Sequence, residues 1–401
     1  MIATPHRTIS ILEHEPTLLA QDEMTQEEGE ALWRRYGSYV EVGFPSPATS
    51  YGWRLSAGGW VGHLPVSEGF AVEVKPKVGI RNLFRMLEYA YRLQSFRFLD
   101  DLFGADTLQD LYERLAGLLS RLVLDRTRRA LYRAYLPRSE YLPYVRGRLE
   151  ARELSLRPWT VDLPCAYEDH TADIEDNRIL SWTLFVIVRS GSLTWRELPN
   201  ARRAYRTLQG AVRTYPVGPE SCVGRTYNRL NADYEPMHAL CRFFLENSGP
   251  THERGDRSML PFLVNMPRLY ELFVSEWLKA HLPDTISLLS QERAYLDESS
   301  GLYFDIDLVL RDTQTGEILC VMDTKYKDAA TPSTDDVAQI VAYAEKMGCQ
   351  DAILVYPRGL SQSFEARVGD IRVRSLPFSL DGDVDEAGRR FMRAVLSDAV
   401  A

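Results

Sequence analysis

The chain has 401 residues, 45% hydrophobic and 26% charged, with a formal net charge of −9. That is globular arithmetic with mass for two or three domains, and ordinary glycine and proline content excludes collagen-like or low-complexity protein. The longest apolar run, Leu184 to Val188, is far below the roughly 18 residues of a membrane span. The first thirty residues carry seven acids against Arg7, without the basic-then-apolar order of a signal peptide. The five cysteines form no CxxC pair, so the chain reads as a reduced, cytoplasmic protein without a zinc or dithiol motif.

In chain order, the first part alternates like β-structure at Tyr39–Phe44, Tyr51–Leu55, Trp60–Leu64 and Phe70–Val74. Helical spacing follows in Leu83, Met86, Leu87, Ala90 and Tyr91, then in a long amphipathic stretch from Thr107 to Tyr135 that Pro137 ends. Further helical patterns cover Asn177–Val188, Ala201–Thr214 and Tyr227–Glu246. The polar stretch Asn247–Ser258 reads as a domain boundary. Beyond it come a helix (Met266–His281), strands at Phe304–Leu310 and Ile318–Asp323 joined by a turn, and a helix (Thr334–Met347). Strands at Ala352–Tyr356 and Ile371–Ser375 and a helix at Val384–Leu396 complete the chain. This is the order of an α/β sandwich on a mixed sheet.

Charge is uneven along the chain. Residues 75 to 157 hold 17 Lys/Arg against 10 Asp/Glu, which reads either as a solvated face or as a patch for nucleic acid or an acidic partner. A net charge of −9 argues against a protein that coats nucleic acid but not against one that cuts it, because local fields outweigh the sum. Only six of the 47 basic residues are lysine, and four of them cluster in Lys75-Pro76-Lys77 and in Asp323-Thr324-Lys325-Tyr326-Lys327. In so arginine-biased a chain, a lysine marks a place where a compact point charge is needed rather than a planar fork.

The chemistry concentrates in Asp307, Asp323 and Lys325. Asp307 lies at the near end of one expected strand and Asp323 at the far end of its hairpin partner, so the two meet at one edge. Residues two apart on a strand share a face, which sets Asp323 beside Lys325. Two carboxylates can hold Mg²⁺ while it keeps exchangeable waters. The metal lowers the pKa of a bound water, and the lysine orients that water or stabilises charge, which is what phosphodiester hydrolysis needs.

Leu308-Val309-Leu310 behind Asp307, with Val321-Met322-Asp323-Thr324-Lys325-Tyr326, resembles the PD-(D/E)xK nucleases, with Ile306 where proline often sits. Lys75–Gly79 followed by Asn82–Leu87, the run Val145–Leu149 and Asp173–Leu180 (DIEDNRIL) resemble the McrC family of modified-cytosine restriction systems. The resemblance covers about residues 70 to 380 and leaves the first 65 or so unmatched. It implies an α+β to α/β multidomain chain. Residues 1–160 would be a β-rich and helical docking region, 161–255 a helical region, and 256–401 a PD-(D/E)xK α/β/α core with a mixed sheet.

The resemblance also implies that Asp307 and Asp323 are metal ligands, Lys325 the catalytic lysine, and Glu271 a looser metal support. Gln339 and Tyr343, four apart on a helix, resemble the Q-x3-Y element that lines the substrate site, and Lys327 is either a DNA-phosphate contact or a solvated charge. The implied activity is Mg²⁺-dependent endonuclease, with Mn²⁺ able to substitute. No Gly-Lys pair exists, hence no P-loop, and the family works with a GTP-hydrolysing AAA+ ring, McrB, on methylated double-stranded DNA. The alternatives are a non-catalytic activator that keeps the nuclease fold and a nuclease with another partner.

Overall fold

A computed structural model describes residues 7–67, 69–93, 107–157, 159–247, 262–297 and 301–397. Two compact units emerge: residues 1–109 together with 261–401, and residues 110–260. This division differs from the expected 1–160, 161–255 and 256–401. The segment after residue 255 is not a separate body, because its first strand, Phe262–Asn265, pairs with Trp60–Ser67. Its first helix, Met266–His281, also packs on the helix Ile80–Ala90, with the Tyr89 ring edge-on to Phe273. The expected boundary at Asn247–Ser258 lies, after its first residue, outside the described residues.

The first unit is built on a six-stranded mixed sheet. Its order is Ile286–Asp297, Leu302–Asp312, Ile318–Thr324, Asp351–Tyr356, Ile371–Pro377 and Glu365–Val368. The first two pairings are antiparallel, the next two parallel and the last antiparallel. The middle strands read as unbroken apolar runs, with Leu308, Val309, Leu310, Val321, Met322 and Ile353 all buried. That is the signature of a sheet covered on both faces.

One cover is the helix Thr334–Met347, seated through Ile340, Tyr343 and Ala344 on Val321, Ala352 and Leu354. The helix Met266–His281 starts where the Asn265 side chain accepts the Arg268 N–H, and it buries Leu269, Tyr270, Phe273, Val274, Trp277 and Leu278. Recurrence at three and four residues makes that one face, and each such burial contributes about 1.5–3 kcal/mol. The opposite face keeps Arg268 and Glu271 near the sheet edge. The same unit carries a four-stranded sheet (Arg7–Leu12, Phe70–Lys75, Trp60–Ser67, Phe262–Asn265) and a three-stranded one (Thr17–Leu19, Trp53–Ala57, Val40–Gly43).

The second unit packs the helices Leu108–Arg128, Glu175–Arg189, Leu198–Gln209 and Tyr234–Asn247 with a three-stranded sheet. The expected helix from Thr107 to Tyr135 ends at Arg128. Ala130 takes a left-handed φ of 77°, and Ala134–Leu142 is a strand. Pro137 sits in that strand without penalty because the strand is at the edge of its sheet. No helix among the described residues is long and apolar enough to cross a membrane, and all five cysteines are free.

Candidate active site

The hairpin register brings the two aspartates together. Leu308 pairs with Met322, so Asp307 and Asp323 occupy the next opposed positions, where the strands part. The Asp307 carboxylate accepts from the Thr324 N–H at 2.8 Å and its hydroxyl at 2.9 Å, which locks the strand ends in place. Asp323 is only 3% exposed, and the Lys325 ammonium lies 2.5 Å from its Oδ2. On the other side, Gln291 falls between the pairs Ser290–Leu308 and Glu292–Ile306, level with Asp307. Gln291 has a left-handed φ of 56°, and its amide donates to Glu271 at 3.1 Å. Arg268 donates to the same Glu271 oxygen at 2.8 Å.

Lys325 is the hub. Its backbone N–H donates to the Val355 carbonyl at 2.8 Å, and its ammonium donates to Gln339 Oε1 at 2.9 Å. Gln339 in turn donates to the Tyr343 hydroxyl at 2.7 Å. The Gln339 and Tyr343 pair therefore reaches the lysine directly. Lys327 lies 2.5 Å from Asp336, whose other oxygen is 3.8 Å from Lys325.

Asp336 is a member of the cluster that sequence reasoning missed. Its only signal is the Ser333-x-x-Asp336 capping box, in which each side chain accepts the other's N–H at 3.2 Å. That signal announces a helix start and not a partner for two lysines. Glu13 was missed as well. It is fully buried and accepts the Tyr326 hydroxyl and the Lys77 N–H, each at 2.8 Å. The unmatched N-terminal segment thus braces the residue after Lys325. Beside it a cleft of about 190 Å³ is lined by His14, Lys77, Tyr326, Lys327, Asp328 and Arg358.

Electrostatics set this edge apart. Burial, then the Asp307 charge, pushes the Asp323 carboxyl up to about 7 despite Lys325. Burial and Asp307 also raise Glu271, which places it within the same field. For Lys325, burial works against the charge, but Asp323, then Asp336 and Asp307, hold its pKa above the usual lysine value. The cluster carries more negative charge than its one inward lysine neutralises, and its donors are hard carboxylate oxygens. That donor set fits Mg²⁺, which takes one or two carboxylates and keeps several waters. Among the described residues, no three or more His, Cys, Asp or Glu side chains close into a ready-made metal cage.

Two other sequence motifs, Asp173–Leu180 and Val145–Leu149, lie in the second unit and serve its own fold. Asp173 accepts from Arg178 at 2.8 and 2.9 Å and from the Arg213 guanidinium at 2.9 Å. The buried Asn177 donates to the Tyr132 and Ala172 carbonyls and accepts the Tyr234 hydroxyl at 2.6 Å. Gly147, at φ 69°, lies where a Cβ would sit 2.4 Å from the Ala166 carbonyl, so only glycine fits there.

A mixed sheet that gathers two aspartates and a lysine where adjacent strands end, with a glutamine and a tyrosine from the following helix, has the architecture of the PD-(D/E)xK fold class. A family profile described as "McrBC 5-methylcytosine restriction system component" matches residues 55–357. The chain belongs to that family. It is 26% identical over 265 residues to the type IV methyl-directed restriction enzyme EcoKMcrBC of Escherichia coli K12, spanning 63% of this chain and 74% of that protein. Among solved structures it superposes on a chain from the assembly of Thermococcus gammatolerans McrB AAA+ hexamers with bound McrC. The TM-score there is 0.57 at 18% identity, over 97% of this chain and 100% of that one, which shows a shared fold. A second structure, the T. gammatolerans McrBC complex, aligns at TM-score 0.45 and 17% identity, over 69% of this chain and 89% of that one.

Proposed function

We propose that this chain is the DNA-cleaving subunit of a cytoplasmic, 5-methylcytosine-directed restriction complex. It is a Mg²⁺-dependent endonuclease that works with, and stimulates, a GTP-hydrolysing AAA+ ring. The observation that carries the reading is the gathering of Asp307, Asp323 and Lys325 at one sheet edge, with the Lys325 ammonium 2.5 Å from Asp323. Support for the partner and substrate comes from relatives: the E. coli protein is a methyl-directed restriction enzyme, and the T. gammatolerans assembly holds McrC on McrB hexamers.

Asp307 and Asp323, with Glu271 beside them, would hold the divalent cation. When bound, it supplies Lewis-acid polarisation of the phosphate and a more acidic water. The protein's own groups do the rest. Thr324 fixes the Asp307 carboxylate. Gln339 and Asp336 hold the Lys325 ammonium at a set position, where it can donate to the attacking water or to a phosphate oxygen that gains charge. Tyr343 fixes Gln339 in turn. Because these donors are in place beforehand, no reorganisation is needed as charge develops. Docking to the ring is assigned to the second unit, whose small sheet and adjoining loops expose Tyr135, Tyr144, Trp159 and Val161.

The test is plasmid cleavage by the complete complex carrying Lys325→Ala. The chain should fold and assemble normally and lose cutting; cleavage at the parent rate would refute the reading.

A further inference from the structure

The helix Leu198–Gln209 presents a face that neither the nuclease reading nor the family match uses. Its buried stripe is Ala201, Ala204 and Leu208, each fully buried. Its outer face carries Arg202, Arg203 and Arg206, all exposed, and none of its 12 residues is acidic. Just before it, the Trp195 indole is 79% exposed, with the Arg196 guanidinium 5.6 Å from its ring centre. Trp195, Arg202, Arg203 and Arg206, with Leu198 and Pro199, line an open groove of about 660 Å³.

Several arginines of this unit are neutralised by acids. Arg126 pairs with Asp233, Arg146 with Asp169, Arg178 and Arg213 with Asp173, and Arg225 with Glu175 and Asp176. Among the described residues, no acid lies within ion-pair distance of Arg202, Arg203 or Arg206. In a chain of net charge −9, three unneutralised guanidinium groups on one helix face, beside an exposed indole, make a local positive patch. Arg202 and Arg206 are one turn apart, about 6 Å along the axis, close to two steps of a nucleic-acid strand at about 3.4 Å each. An exposed indole flanked by guanidinium groups is a stacking platform for a base. An acidic protein surface would match the charges but has no flat π-face for the indole.

We infer that this face binds a single-stranded stretch of nucleic acid, with phosphates on Arg202, Arg203 and Arg206 and an unpaired base on Trp195. A single strand follows from Trp195: inside a duplex both faces of a base are covered by its stacked neighbours, whereas an unstacked single-strand base has a face free for the indole. The site lies wholly within the second unit and does not depend on the cleavage chemistry.

The experiment measures fluorescence anisotropy of a labelled oligothymidylate and of a blunt duplex of equal length. It uses the full chain over a salt series without divalent cation, so that cutting does not enter. The parent should bind the oligothymidylate at low salt. Replacing Arg202, Arg203 and Arg206 together by alanine should lower the log–log salt slope by about 2, at about 0.7 per phosphate contact. Trp195→Ala should weaken single-strand binding about fivefold or more while leaving the slope and the duplex affinity unchanged. All four side chains are exposed, so each variant should melt like the parent. Failure of the parent to bind at low salt, or variants that bind like the parent, would overturn the proposal. So would intact DNA binding with a loss confined to capture of the AAA+ partner, which would assign the face to an acidic protein surface instead.

Discussion

Two charged clusters in this protein are built from the same parts and behave oppositely. In the second unit, Asp173 is clasped by Arg178 and Arg213, and those bonds, led by Arg178, hold its carboxyl down at about 2. At the sheet edge of the first unit, burial and the facing Asp307 push Asp323 up to about 7 even with Lys325 alongside. In the first cluster the one carboxylate is fully compensated, held by two guanidinium groups, and the arrangement ties the helix Glu175–Arg189 to the chain around Arg213. The second is one cation short. Burying carboxylates without full compensation costs stability, and the divalent cation proposed for this edge would offset that cost. Charge clusters can therefore be sorted by whether the protein neutralises them itself.

The sharpest way to break the comparison is to remove one member from each cluster. Lys325→Ala should lower cleavage by the complete complex about 10²–10³-fold or more and keep the fold, with the buried Asp323 carboxyl taking up a proton in place of its ammonium partner. Asp173→Asn should do the reverse. It should cost about 2 kcal/mol of stability, while cleavage per folded molecule stays at the parent level. A large loss of cutting in Asp173→Asn with unchanged stability would mean the two clusters had been sorted wrongly.

Proton linkage sharpens the same contrast. Asp173 has a folded pKa of about 2, below the ordinary carboxyl value. Its contribution is fully present above about pH 4 and is lost as the pH falls towards 2. Acid titration followed by circular dichroism should therefore show a parent-specific loss in that window that Asp173→Asn lacks. Smaller effects are expected around Lys325. Asp336→Asn removes the charge that steadies Lys325 and Lys327 and should slow cleavage about tenfold, or 1.4 kcal/mol. Gln339→Ala removes a neutral acceptor from the ammonium and should slow it less, by about threefold. Steady-state cleavage assays on both variants would rank them.

Much of the sheet edge was legible in the sequence because its signals are local. Asp323 and Lys325 lie two apart behind a run of apolar strand residues, and that period alone sets them side by side. Pairing with Asp307 followed from a hairpin joined by a short turn. What was not legible depends on contacts far apart in the chain. Glu13 reaches Tyr326 across the join between the N-terminal and C-terminal halves of the first unit, and no periodicity encodes that. Asp336 reads as a helix cap because it is one; its second role appears only when the helix is set beside the strand. The strand Ile286–Asp297 escaped notice because its left-handed kink at Gln291 interrupts the alternation. The strand Ala134–Leu142 went unread, its first two residues taken into the helix that Pro137 ends, because the edge position that makes proline tolerable in a strand is a property of the sheet.

The measurement that most directly tests whether the sheet edge lacks a cation is a thermal melt of the full-length chain titrated with Mn²⁺ or Mg²⁺. It would compare the parent with Asp307→Asn, Asp323→Asn and Asp173→Asn. Binding to the folded state raises the melting temperature with ligand concentration, by about 2.7 kcal/mol of stability at a hundredfold excess over Kd. The parent and Asp173→Asn, the latter from a lower starting point, should both show that rise, and Asp307→Asn and Asp323→Asn should lose it. Identical metal-dependent shifts in all four proteins would contradict the account.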